Sequence, residues 1–308
     1  MARGHDAAGV VVSLMDGRAV VVTGAGRGLG RAYARHLAES GASVVVNDVD
    51  AAEAAAVAAG ITAAGGTATA SDHDVSADAD GLVELCLSAY GRLDGLVNNA
   101  GLYHEALPWE EDPARMRRTV LVNVLGALNC QAAATRVMGE GGAIVNASSG
   151  GMFGFPQVST YAATKGALAA LTYSSALDLD ERGIRVNAVS PMAYTRMTAS
   201  ALGRSSTLDS PPLAGIEDRP PEAIAPLVTF LLSDLAAGIT GQFLRFDGQK
   251  VSVVTTSAFT DHPNVTADEW TPQALAAAFD GPLAAGLQPY GMTRREPARK
   301  SRHTRAGP

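Results

Sequence analysis

Cysteine is nearly missing from this chain. Cys86 and Cys130 are the two present in 308 residues, and neither belongs to a Cys-x-x-Cys or Cys/His cluster. A disulfide framework and a structural zinc site are therefore not expected, nor is any other metal. Charged residues are also sparse, at 18%, beside 47% hydrophobic ones. That balance excludes global disorder and leaves ample material for a large core. No uninterrupted apolar run reaches the ~20 residues that cross a bilayer. The opening MARGHDAAGVVVSLMDG carries a charge inside a very short apolar stretch, so it does not read as a signal peptide. A cytosolic protein with no membrane partner is expected. The net charge of −7 offers no footprint for nucleic acid. Its distribution is uneven: six Lys/Arg and one acidic residue lie from Arg294 onward, leaving 18 basic and 30 acidic groups before it. Residues 294–308 read as a solvated basic tail.

What is abundant is alternation. Apolar β-rich runs at 18–23, 43–48, 67–71, 93–98, 142–149, 184–190 and 241–247 alternate with Ala/Leu-rich helical runs at 29–40, 51–64, 78–90, 112–138, 160–181 and 221–232. Most of the strand candidates are continuously apolar, as strands covered on both faces of a parallel sheet must be. Seven strands with helical crossovers predict a single α/β domain with a doubly wound parallel sheet over 17–250. Residues 1–16 form an N-terminal extension. The Ser/Pro/Gly-rich stretch 192–220 is too long for a routine connection and reads as a lid over a site. Residues 251–293 read as a C-terminal arm.

The chemistry concentrates at Tyr161 and Lys165. Four residues apart on a helix, the two side chains share a face. An ammonium beside a phenol favours the phenolate, drawing a group of ordinary pKa about 10 toward neutrality. A tyrosine so tuned can exchange a proton with a substrate hydroxyl. Ser148 or Ser149, just upstream, can hold the same oxygen.

At the other end, the first strand runs into Thr23-Gly24-Ala25-Gly26-Arg27-Gly28-Leu29-Gly30 and then a helix. Glycines at this place let the backbone approach a pyrophosphate whose charge rests on the helix N-terminus. Asp48 ends the second strand, where a carboxylate accepts the ribose hydroxyls and repels a 2′-phosphate, favouring NAD over NADP. Arg27 pulls the other way. Asp74-Val75 is placed to cover an adenine ring, and Asn99-Ala100-Gly101 to line the cofactor. Asn123, an amide inside an apolar helix, is costly there unless bonded.

Together the string TGAGRGLG, Asp48, NNAG, Asn123, Ser148/Ser149, Tyr161-x-x-x-Lys165 and the segment Val186-Asn187-Ala188-Val189-Ser190-Pro191 resemble the short-chain dehydrogenase/reductase family over about 17–250. The resemblance implies one Rossmann-type domain, a nicotinamide cofactor and hydride transfer between an alcohol and a carbonyl. It also implies Tyr161 as general acid/base and Lys165 as its activator and holder of the nicotinamide ribose. Asn123 then supports a proton-relay water, while Thr195, with Pro191 before it, meets the nicotinamide amide. The family's spacing favours Ser148 as the catalytic serine and its strand register favours Ser149; strand ends position side chains well, so Ser149 is preferred. Pro191-Met192 stands where the family has Pro-Gly. With 46–48 and 225–227, the segment 191–197 locally resembles the hydroxyacyl-CoA dehydrogenase domains of peroxisomal multifunctional enzymes.

The expected function is an NAD(H)-dependent interconversion of a bulky, largely apolar secondary alcohol and its ketone. The expected pocket wall comprises Tyr103, His104, Ser148, Met152, Phe153, Phe155, Tyr194 and Met197. Alternatives are a 3-hydroxyacyl-CoA-type dehydrogenase, an epimerase or dehydratase that recycles its NAD, and a non-catalytic nucleotide sensor. A homodimer or homotetramer is expected through the helices at 112–138 and 160–181.

Overall fold

The computed structural model describes residues 13–199, 216–255, 278 and 281–283. Among the described residues eight strands form one sheet: β1 (Ala19–Thr23), β2 (Ser43–Asn47), β3 (Thr67–Ser71), β4 (Gly95–Asn98), β5 (Ala143–Ala147), β6 (Arg185–Pro191), β7 (Phe243–Phe246) and β8 (Val251–Val253). Their order is β3-β2-β1-β4-β5-β6-β7-β8. The first seven run parallel in register, and β8 pairs antiparallel with β7. The expected seven strands are thus corrected to eight. The turn at Gly248, with φ 88°, folds the start of the supposed arm back onto the sheet edge. A three-residue antiparallel strand carries too little pattern to be read in sequence.

Both faces of the sheet are covered. Val20, Val22, Val44 and Val46 pack beneath α1 (Gly28–Glu39), α2 (Ala51–Ala63) and α7 (Ala225–Leu232). The intervening residues Val21, Val45, Leu96, Ile144 and Val186 meet α3 (Ala79–Tyr90), α5 (Ala127–Val137) and α6 (Ser159–Asp178). Alternate strand residues point to opposite faces, so two buried faces require the unbroken apolar runs of the sequence.

The helix expected over 112–138 is interrupted. Its first part is α4 (Pro113–Val120), capped by Asp112, and its last is α5; between them Leu121–Gly126 forms a π-helical turn. The whole of Pro113–Val137 has the length and apolarity of a membrane span. It lies here as a layer helix, with Thr119, Val122, Asn123, Cys130 and Ala133 buried. Both cysteines are free, and burial pushes each thiol up to about 12, which makes them inert packing groups.

In a doubly wound sheet the crevice opens at the carboxyl ends of the strands, where the order reverses. That reversal lies between β1 and β4. Of the stretch 192–220 only the two ends are described; residues 200–215, Trp270 and the basic tail lie outside the described residues, as does nearly all of the arm beyond β8.

Candidate active site

The loop from β1 to α1 is built for close approach. A side chain at Gly30 would put its Cβ 2.2 Å from the Gly24 carbonyl oxygen, and one at Gly24, itself at φ 62°, would lie 2.8 Å from the Ala100 backbone. Only glycine fits either place. Asn99 locks this turn: its Nδ2 donates to the carbonyls of Thr23 and Gly24, while Thr23 Oγ1 accepts from the amides of Asn99 and Ala100. No side chain caps the N-terminus of α1 and no acid stands in its first turn. The result is a cradle of unspent amides at a helix N-terminus, shaped for a pyrophosphate.

Asp48 lies beside that cradle. Its Oδ2 accepts from the Gly26 amide at 3.0 Å and its Oδ1 from the Asp50 amide at 3.1 Å. It is not the N-cap of α2, a role taken by Asp50. Arg27, the opposing signal, is already paired: its guanidinium sits 2.6 Å from Asp50 and 3.8 Å from Glu53. Asp74 turns to the Ser76 hydroxyl and amide and to Arg118, contacts that hold its carboxyl below the usual range. Val75 is buried against Gly126, where a Cβ would approach to 2.7 Å of its Cγ2.

Tyr161 and Lys165 lie on one face of α6, with Lys165 Nζ 5.6 Å from the phenol ring centroid. Lys165 is 4% exposed and donates to the Ala147 carbonyl at 2.6 Å, and burial lowers its pKa to about 8. Burial also raises Tyr161 above its ordinary value, with a hydrogen bond to the Ser149 hydroxyl opposing the rise. The expected acidified phenol is therefore corrected. Desolvation penalises the phenolate and the ammonium alike, and outweighs their attraction across this separation.

The two serines point to different tasks. Ser148 Oγ donates to the Lys165 carbonyl at 2.7 Å, tying the end of β5 to α6. Ser149 Oγ accepts from the Gly151 amide and stands beside Tyr161 on the cavity wall. Asn123 sits on the π-helical turn, a distortion frequent at functional places. Its Oδ1 accepts from the Leu102 amide, and its Nδ2 donates to the Leu102 carbonyl and to Thr164 Oγ1. Both hydrogens of this buried amide are thus used and its oxygen holds one bond, fixing the loop after β4 against α6.

Tyr161, Ser148 and Ser149 open on a cavity of ≈ 140 Å³, while Lys165 and Asn123 stand behind its wall. Of the expected wall, Tyr103, Ser148, Phe155 and Met197 line it, and beside them stand the catalytic candidates Ser149 and Tyr161 and the cofactor candidates Leu29, Pro191 and Thr195. The Tyr103 ring meets Tyr161 edge-on, with centroids 5.1 Å apart. His104, Met152, Phe153 and Tyr194 do not reach the wall among the described residues. His104 is enclosed by Glu111 and Thr119, with Glu111 also accepting from Thr160. Phe153 and Tyr194 are each 43% exposed. Nearness in sequence to a catalytic residue does not say which side of the backbone a side chain takes. Val158, Met192, Ile216, Ser190 and Arg245 line the cavity without having been singled out for it. Ser190 Oγ accepts from the Gly150 amide at 2.9 Å and so holds the segment after Ser149. Among the described residues no group of three or more His, Cys, Asp or Glu could hold a metal.

Residues 6–248 match the family described as enoyl-(acyl carrier protein) reductase. The chain belongs to the short-chain dehydrogenase/reductase family. It is 42% identical over 245 residues to an uncharacterized oxidoreductase of Methylorubrum extorquens, covering 77% of this chain and 99% of that one. It is 33% identical to a cyclohexanol dehydrogenase of Acinetobacter, over 79% of this chain and 98% of the relative. A hydroxyacyl-CoA dehydrogenase of Mycobacterium tuberculosis is 34% identical, over 86% and 88%. Among solved structures, a short-chain dehydrogenase of Mycobacterium avium superposes with TM-score 0.79 at 31% identity, over 90% of this chain and 98% of that one. One from Burkholderia cenocepacia, in complex with NADP, gives 0.69 at 34% identity, over 76% and 98%. This short-chain dehydrogenase/reductase is thus an enzyme of the class acting on CH–OH donors, with a nicotinamide cofactor.

Proposed function

We propose that the enzyme interconverts a bulky, largely apolar secondary alcohol and its ketone, and that it does so with NAD(H). The observation that carries the reading is that Tyr161 and Ser149 stand together on the wall of a mostly apolar cavity. Their two hydroxyls offer a substrate oxygen the partners it needs. A bound nicotinamide supplies the hydride acceptor in oxidation and the donor in reduction. Ser149 holds the substrate oxygen. The Tyr161 phenolate takes its proton in oxidation, becoming the phenol, and the phenol gives it back in reduction. Lys165, fixed by the Ala147 carbonyl, keeps a positive charge beside the phenol and supports the phenolate whenever that forms. Asn123 keeps the loop after β4, α6 and Lys165 in register, and its remaining lone pair is free to hold a relay water.

The residues present fit the cofactor: the cradle at Gly24–Gly30 takes the pyrophosphate, Asp48 the adenosine ribose, and Asn99-Ala100-Gly101, Pro191 and Thr195 the nicotinamide half. Support for NAD is that Asp48 stands beside the loop while Arg27 is committed to Asp50 and Glu53. Cyclohexanol, the substrate in one relative's name, is of the proposed class.

A second reading, a 3-hydroxyacyl-CoA dehydrogenase, draws on the Mycobacterium tuberculosis relative, whose match runs farther along the chain than the others reported. We also propose self-association. Val120 on α4, Leu125 on the π-helical turn, Leu128 on α5 and Leu177 on α6 are exposed apolar groups of the kind that mark interfaces.

The test is Tyr161→Phe. Turnover of cyclohexanol and 3-hydroxybutyryl-CoA with NAD should fall roughly 10²-fold or more, as loss of a positioned acid/base requires, while NADH still binds. Near-normal turnover removes Tyr161 from the chemistry. Turnover of the thioester alone favours the second reading.

A further inference from the structure

Arg245 breaks an otherwise apolar strand, Phe243-Leu244-Arg245-Phe246. In the pairing of β6 with β7 its partner is Ser190. Paired residues of neighbouring strands share a face of the sheet. Both line the cavity that holds Tyr161 and Ser149. Arg245 is the one charged side chain among the described lining residues, beside Phe155, Val158, Met192, Met197 and Ile216.

Its guanidinium, half-buried, has no hydrogen bond and no ion pair of its own among the described residues. The neighbouring carboxylate is taken: Asp247 lies 3.6 Å from Arg219 and accepts from the amides of Gln249 and Lys250. Burial holds the Arg245 pKa below its usual value, with Asp247 opposing and Arg219 adding to the effect. A cation partly withdrawn from water is costly unless it is paired, and arginine does not escape by losing its proton. Its fork of donors matches a carboxylate in two parallel hydrogen bonds.

The geometry points to Arg245 as the anchor for a carboxylate on the substrate, so that the enzyme acts on hydroxy acids in preference to neutral alcohols. This rests on the alcohol-oxidising reading of Tyr161 and Ser149. Ser149 follows β5 and Arg245 lies on β7, with β6 between them. Two strand spacings amount to about 10 Å, enough for a ring between the reacting hydroxyl and the acid. The cavity keeps its apolar middle and gains a charged end.

The test uses the full chain with NAD, and separately with NADP. Substrates are 4-hydroxycyclohexanecarboxylate and 4-hydroxycyclohexanecarboxamide, which have the same shape and differ in charge. The acid should be preferred in kcat/KM by about 10- to 100-fold, the range of a hydrogen bond to a charged group, expressed mainly in KM. Arg245→Gln should abolish that preference, and Arg245→Lys should keep part of it. Wild-type indifference to the charge, or a preference surviving in Arg245→Gln, overturns the proposal.

Binding supplies a measure independent of turnover. Cyclohexanecarboxylate should raise the melting temperature of the wild type with NAD, cyclohexanecarboxamide should not, and Arg245→Gln should lose the effect. No charge-selective shift in an enzyme that oxidises alcohols refutes the anchor alone. A charge-selective shift in a protein that oxidises neither alcohol refutes the alcohol reading and leaves the anchor standing.

Discussion

Replacing Lys165 with methionine should make the protein more stable near neutral pH while removing nearly all of its activity. Burial lowers the Lys165 pKa from 10.5 to about 8. At about 1.4 kcal/mol per pH unit, the drop corresponds to roughly 3 kcal/mol of folding free energy spent on keeping the ammonium charged. Methionine fills a similar volume with no charge. Losing the bond to the Ala147 carbonyl returns about 1–2 kcal/mol of that gain, leaving a net gain of about 1–2 kcal/mol, or about 2–6 °C in Tm. The sign with pH follows from the lowered value. The penalty is complete below about pH 8 and is relieved as pH rises toward 10.5, because the unfolded chain then holds the proton that the folded one has released. The advantage of Lys165→Met should therefore shrink between pH 8 and 10.5. Urea melts of both proteins at pH 7 and pH 10 measure it, with turnover assayed alongside. A variant less stable at pH 7, or a difference that does not change with pH, would refute the claim that Lys165 is held at a cost.

Asp48→Ala should move the ratio of kcat/KM for NAD over NADP toward NADP by about tenfold or more, because a carboxylate at this place repels a 2′-phosphate; a wild type that already prefers NADP tenfold would give the choice to Arg27 instead. Ser149→Ala should lower kcat more than Ser148→Ala, whose main effect should be a loss of about 1 kcal/mol in stability through its bond to the Lys165 carbonyl; the reverse order in kcat would exchange their roles. Light scattering should find an assembly of two or four chains, and Leu125→Glu with Leu128→Glu should dissociate it; a 31.5 kDa particle in the wild type would sink the interface.

The layout was legible because its physics is local. Strands covered on both faces must be apolar at every position, so β1, β2 and β5 stand out as runs of Val, Ile and Ala. The Gly24–Gly30 loop was readable for a related reason: a Cβ at Gly30 would meet backbone at 2.2 Å and one at Gly24 at 2.8 Å, so only glycine fits. The spacing of Tyr161 and Lys165 by four residues fixes a shared helix face. These features announce themselves without knowledge of what lies across the fold. Strand β8 does not, because three residues after a glycine turn acquire their meaning from the edge of β7.

The choice between Ser148 and Ser149 shows where such legibility stops. Both line the cavity, but two adjacent residues leaving a strand point in opposite directions, so one hydroxyl is taken by α6 and the other left beside Tyr161. Composition cannot say which. The register of β5 against β6 decides it, Ala147 pairing with Val189, so that Ser148 turns back to the Lys165 carbonyl and Ser149 turns out to Tyr161. Arg245 is the same problem with the opposite outcome. In sequence it is a charge near the end of the last long strand, where a solvated side chain would be unremarkable. It becomes a cavity group only because its register partner is Ser190, whose hydroxyl already holds the segment that carries Ser149. Register, a property of pairs of distant strands, therefore decides which polar groups meet the substrate, while the sequence of each strand decides only that the strand exists.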